Sequence, residues 1–329
     1  MKNMGESPPY FIRVIISKVL FLCNIFLLIF FIIFPREVLS AAREGLMLWF
    51  NNVLPALLPF IVVVNIMVSF GFVRIVSNMV RPFMRFVFRL PGAGGFAFIT
   101  GLISGYPMGA KTVADLCNSG EITVKDAQRL LAFCNNAGPL FIIGVVGVGL
   151  LKDSVAGYIL WGGHILAALI IGVYMRRYGD EEGYHKTNIH YTKNRTFGLG
   201  KVLGESVRNA MEALVLVGGL IIFFSVITRV IMVVFDDLPF IGAIAGALEV
   251  TGGVKILADT AESPVSPLRM AAIGGLIGFG GFSVHAQALH FTSGIGIKSG
   301  MYLLYKAIGG VIAAGITFVL WLLIQNYIA

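Results

Sequence analysis

Of the 329 residues, 57% are hydrophobic and only 13% charged, with a net charge of +8 and a mean hydropathy of +0.87. That composition excludes an ordinary soluble domain. The basic residues cluster beside apolar runs, which reads as a topology signal at an anionic membrane surface and not as a nucleic-acid site; three widely spaced cysteines, Cys23, Cys117 and Cys134, form neither a disulfide framework nor a metal cluster.

A spanning helix needs roughly 20 mainly apolar residues. The first such run, 14–34, ends at FPREVLS, which has no small-x-small cleavage pattern, so it is read as a retained helix. A second span is predicted over 46–70. Arg81, Arg85 and Arg89 then fall four apart among Phe83, Phe86 and Phe88, the pattern of an interfacial helix on the cytoplasmic leaflet. Residues 92–116 are rich in glycine and interrupted by SGYPMGAKTVADL, which begins at Ser104. The next span, 128–150, is broken by CNNAGPLF at 134–141, and 154–175 is clean apart from His164, read as a packing residue. A polar, charged stretch containing His185 and His190 follows. Beyond it come a span at 212–235 and a second glycine-rich stretch at 239–261, interrupted by LEVTGGVKILADT from Leu248. A span at 267–290, broken by GFGGFSVHAQ, and a last span at 303–327 complete the chain.

Placing the three basic clusters in the cytoplasm fixes the direction of each span. The stretch at 92–116 must then enter from the cytoplasm and return to it. The stretch at 239–261 does the same from the opposite side, next to the Asp236–Asp237 pair. The prediction is an all-α integral membrane protein with about seven transmembrane helices plus two re-entrant hairpins.

The two interrupted stretches share a phrase. Lys111 and Lys255 lie 144 positions apart, as do Gly109 and Gly253, Ala114 and Ala258, and Asp115 and Asp259. Two similar halves of opposite orientation make an inverted-topology repeat, a transporter device. The expected organisation is an N-terminal helix over 1–40, a first repeat over 41–176, a cytoplasmic linker over 177–200 and a second repeat over 201–329. Irregular backbone in a bilayer persists only where it is buried in protein or lines a wet cavity. The two hairpin turns and the two helix breaks are therefore the candidate site.

Those phrases, with CNNAGPLFIIG and GFGGFSVHAQ, resemble the nucleoside-recognition ("Gate") domains, which are related to concentrative nucleoside transporters. Over nearly the whole chain the likeness is to the sporulation integral membrane protein family called YlbJ or SpoVV. The resemblance implies a nucleoside-transporter-like fold with a site between two hairpin tips and two unwound helices. It also implies transport of dipicolinic acid across the outer forespore membrane of a sporulating bacterium. Carried over, the site takes in Ser104, Gly105, Tyr106, Asn135, Asn136, Thr251, Gly252, Ser283, His285 and Gln287 as substrate contacts. Where the nucleoside transporters use hairpin acids and amides to grip ribose, the first tip has Tyr106 and Pro107, a departure from the nucleoside pattern, and the intramembrane bases Lys111 and Lys255 turn the reading toward a small anion.

The residues themselves leave several roles open. Lys111 and Lys255 either neutralise an anionic substrate or pair with Asp115 and Asp259 four residues on. Glu249, beside the second tip and without a local base, binds a coupling Na+ or H+ or makes a structural hydrogen bond; Asp115 and Asp259 are the other coupling candidates. No other cofactor is implied. There is no phosphate loop, Ser-His-Asp set or cysteine ligand cluster, so an enzyme is not expected. The leading expectation is a carrier of a small organic anion, with dipicolinate as its partner, lipid around it and self-association into a homo-oligomer left open. The alternatives are a cation-coupled nucleoside or nucleobase carrier, and a non-transporting assembly protein of the spore that docks through the 176–200 stretch.

Overall fold

The computed structural model describes residues 10–178, 198–235, 241–259 and 265–328, and the described residues form helices and turns with no strand. Most of the expected 177–200 linker, with His185 and His190, lies outside the described residues, as does the Asp236–Asp237 pair. Helix α1 (Tyr10–Ile33) meets α2 (Pro35–Leu48) at 102°. Pro35 stands at the start of α2, where its missing N–H costs nothing but the preceding helix cannot continue. A π-helical turn, Trp49–Val53, leads into α3 (Leu54–Ser69). Helix α4 (Phe72–Phe83) runs through a second π-helical turn, Met84–Phe88, and bends by 93° into α5 (Gly92–Ser104).

Helices α5 and α6 (Met108–Asn118) form the first expected hairpin. Helix α7 (Val124–Cys134) starts with a capping box between Thr123 and Asp126. It ends at the expected break, after which Leu140–Leu150 winds as a π-helix into α8 (Ser154–Tyr174). The second half holds α9 (Leu199–Val234), then the second hairpin, α10 (Ile241–Leu248) and α11 (Val250–Ala258). Helices α12 (Pro267–Phe279) and α13 (Gly281–Thr292) are separated at Gly280, and α14 (Ser299–Ile328) closes the chain.

Among the described residues, four helical stretches are long and apolar enough to cross a membrane: Ser154–Arg177, Leu199–Val234, Pro267–Thr292 and Ser299–Tyr327. The count is six if each bent pair is one span. Seven were expected. The run expected at 46–70 is shared between Pro35–Val53, which contains the π-helical turn, and Leu57–Ser69; that at 128–150 is divided at 135–139; and the bent pair of Ile75–Phe88 and Gly92–Ser104, counted in the six, was not among the seven.

Helix α14 packs along α12 and α8, and α9 along α2 and α3. The α12–α14 seam is made of small residues: a Cβ on Gly278 would come 2.8 Å from Ala313, and one on Gly274 2.5 Å from Thr317. Close backbone approach of this kind is how helices associate when lipid offers no hydrophobic contrast. Buried Arg129 fastens the edge of the bundle by donating to the carbonyls of Phe88, Arg89, Met175 and Arg176, the ends of two helical segments.

Each hairpin seats on the break of its own half. Gly105 has φ +82°, and a Cβ there would lie 2.6 Å from the Gly138 nitrogen. Gly281 has φ +77°, and a Cβ there would lie 3.1 Å from both the Gly246 carbonyl oxygen and the Val250 nitrogen. Only glycine satisfies both the left-handed backbone and the contact. Gly105→Ala should therefore lower stability by about 2 kcal/mol or more, read as a fall in the melting temperature of the detergent-purified protein. An unchanged melt would mean that the turn does not bear on the break.

Candidate functional site

The first hairpin turn is polar because the chain reverses there. Gly105 ends α5, the Tyr106–Pro107 bond is cis, and α6 begins at Met108. At the second turn Glu249 caps α11. Its carboxylate accepts from the backbone N–H groups of Thr251 at 3.1 Å and Gly252 at 2.6 Å. Those amides belong to the first turn of the helix and have no partner within it.

The two turns and the two breaks meet around a cavity of about 430 Å³. The hairpins contribute Ser104, Gly105, Tyr106, Glu249 and Thr251; the breaks contribute Gly138, Ser283 and Gln287. The wall is completed by Asn51 and Asn52 from the first π-helical turn, with Phe60 and Phe141 as apolar faces. The Tyr106 hydroxyl is buried with no hydrogen-bond partner, so the wall carries an unused polar group. Gln287 donates to Ser283 at a long 3.4 Å. A second cavity of about 550 Å³ adjoins the first and shares Asn51, Asn52, Glu249 and Thr251 with it. Its wall holds Gly252, Lys255, Asp259 and Glu44, and Arg229, which pairs with Glu44 at 2.9 Å and Glu37 at 3.4 Å.

Of the expected substrate contacts, Ser104, Gly105, Tyr106, Thr251, Ser283 and Gln287 line the first cavity, while Gly252 and Lys255 line the second. Asn135, Asn136 and His285 are buried behind the wall. Asn135 donates to the Tyr302 hydroxyl, Asn136 to the Phe133 carbonyl, and His285 Nδ1 lies 3.0 Å from the Tyr302 oxygen.

The two lysines differ. Lys111 pairs with Asp115 at 2.8 Å, both inside α6, and lines neither cavity. Among the described residues no corresponding ion pair joins Lys255 and Asp259, where α11 ends. Asp259 is the residue that ends the helix, its N–H still donating to the Lys255 carbonyl at 2.9 Å, and its side chain is exposed.

The sequence reading did not single out Asn51, Asn52, Tyr302 or Lys306. The two asparagines sit inside an apolar run, repeating the Asn135–Asn136 signal. Lys306 is a single base in a long apolar run, the kind of intramembrane charge that marks function. Among the described residues no group of three or more His, Cys, Asp or Glu side chains is placed to hold a metal ion.

An all-helical chain with several helices long and apolar enough to cross a membrane defines an integral membrane protein. The chain is 35% identical over 322 residues to the sporulation integral membrane protein YlbJ of Bacillus subtilis (strain 168), covering 87% of this chain and 78% of that one. It belongs to the YlbJ family of sporulation integral membrane proteins. No family model and no solved structure matches it.

The asymmetry of the lysines can be measured. Lys111→Gln should cost about 0.3–1 kcal/mol, the range of a partly exposed i,i+4 pair, and adding Asp115→Asn should recover it. Lys255→Gln should leave the melting temperature unchanged. An equal loss at both lysines would show that Lys255 has a structural partner after all.

Proposed function

We propose that this protein is a carrier that moves a small organic anion, dipicolinate, across the outer forespore membrane during sporulation. The observation that supports this is the 430 Å³ cavity where both hairpin turns meet both helix breaks, in a chain of a sporulation membrane family. The volume falls within the range of about 300–1,000 Å³ that small-molecule sites occupy. Amides and hydroxyls around aromatic faces suit a flat ring with polar edges. Lys255 in the adjoining cavity is the cation an anion meets on that route. The two halves act as an inverted repeat of seven spans and two re-entrant hairpins, and Glu249, common to both cavities, is the group through which Na+ or H+ is coupled.

One observation favours a second reading. No lysine or arginine lines the first cavity, which fits a neutral nucleoside or nucleobase carrier. Proteoliposomes holding the purified protein decide between them. Labelled dipicolinate should accumulate and uridine or adenine should not compete. Uptake of the nucleoside with no dipicolinate flux would replace the first reading by the second, and no flux of either would remove the carrier. Glu249→Gln should abolish uphill accumulation while dipicolinate binding persists, whereas undiminished accumulation would leave the residue only its helix cap.

Topology is tested by single cysteines in a chain whose native cysteines are replaced by alanine. Ser119→Cys and Arg177→Cys should label from the cytoplasm, and Asp153→Cys and Ser266→Cys from the opposite side. Labelling of Ser119→Cys and Ser266→Cys from one side would remove the inverted repeat.

A further inference from the structure

Behind the cavity wall lies a buried polar cluster that the carrier reading does not use. Lys306, on α14, is 5% exposed, and its ammonium donates to the Asn135 carbonyl at 2.8 Å. That carbonyl is freed by the break after α7. Among the described residues no carboxylate pairs with Lys306. An ammonium held at such depth without an anion costs several kcal/mol.

Counting protons shows what the cluster lacks. The Ala137 N–H donates to His164 Nε2 at 3.1 Å, so His164 is neutral and its proton sits on Nδ1, which has no partner. Asn135 donates to the Tyr302 oxygen. The arrangement that leaves fewest protons unpaired has Tyr302 donate on to His285 Nδ1, so the His285 proton sits on Nε2, also without a partner. Two further N–H groups of Lys306 are unassigned. Against these donors stands one buried acceptor without a partner, Asn135 Oδ1. The cluster therefore has more donors than acceptors, and removing one proton from Lys306 takes one donor from that excess and leaves a lone pair on Nζ.

We propose that Lys306 is a proton-binding site, and that its protonation state sets how firmly the break behind the cavity is held. On release, the N–H bonding pair stays on Nζ and the proton passes to water. The charge-assisted bond to the Asn135 carbonyl then becomes an ordinary amine hydrogen bond, about half as strong. The effect reaches the cavity directly. Asn135 lies three residues before Gly138, and His285 lies between Ser283 and Gln287, all three of them wall residues.

The groups facing Lys306 are few. Cys134 at the end of α7, His164 on α8 and His285 on α13 interact with it electrostatically. Its own helix brings Tyr302. Helix α12 carries Arg269 alone, at the end remote from Gly278, which packs near Gly310 and Ala313.

The site itself is tested without any ligand. Hydrogen exchange over residues 134–141 of the purified full chain is followed by mass spectrometry from about pH 6 to about pH 10, corrected for intrinsic exchange. Wild type should lose protection at least tenfold in a single one-proton step. Lys306→Arg, charged throughout, should stay protected, and Lys306→Met should stay unprotected. A step that persists in Lys306→Arg belongs to Cys134, His164, His285 or Tyr302 and overturns the proposal, as does a flat wild-type profile. If Lys306→Met does not fold, wild type against Lys306→Arg still decides.

Coupling of this proton to transport rests on the carrier reading, so dipicolinate binding is titrated by calorimetry on the same samples. Binding with a flat exchange profile sinks the proton site and leaves the carrier. A one-proton step without binding sinks the substrate and leaves the proton site.

Discussion

A helix broken inside a bilayer frees N–H and C=O groups that water cannot reach, and each must be paired by protein at a stake of several kcal/mol. The rest of this molecule is arranged around that requirement. At the first break, Asn136 donates to the Phe133 carbonyl, Lys306 donates to the Asn135 carbonyl, and His164 accepts the Ala137 N–H. At the second hairpin turn, Glu249 accepts two N–H groups of α11. Three of these partners, Lys306, His164 and Glu249, are titratable side chains that an apolar helix would otherwise exclude. Their presence is explained by the broken backbone before any function is invoked.

That arrangement divides the polar groups into two populations. One is committed to backbone and fixes where the breaks lie. The other is represented by Tyr106, a residue of the 430 Å³ cavity wall whose buried hydroxyl has no hydrogen-bond partner. A committed group rigidifies, whereas a buried group left without a partner is the exception in a folded protein. Glu249 belongs to both populations, since it caps α11 and borders both cavities. A change in its protonation would touch helix and cavity together.

Charge is distributed on the same logic. The first cavity has an acid and no lysine or arginine in its wall, while the second has Lys255, Arg229, Glu44 and Asp259. Charged residues thus gather in the adjoining space, and the wall of the first cavity is mainly apolar with a few amides and hydroxyls. Lys111, closed against Asp115 within α6, belongs to the scaffold.

The sequence by itself determined the membrane class, because 57% hydrophobic content and long apolar runs have no soluble solution. It also determined the places where helices fail. Glycine, proline and asparagine act on their own backbone, so SGYPMG, CNNAGP and GFGGFS were readable as turns and breaks without any knowledge of packing. What depends on distant residues was not readable. Nothing local says that Asn135 meets Tyr302 across 167 positions or that its carbonyl meets Lys306 across 171. Nor does the shared Lys–Asp spacing reveal that Lys111 and Asp115 pair while Lys255 and Asp259 do not. Local backbone chemistry placed the breaks; only tertiary structure decided which side chains repair them and which are left to face the cavity, because those partners are brought together by packing and not by chain neighbourhood.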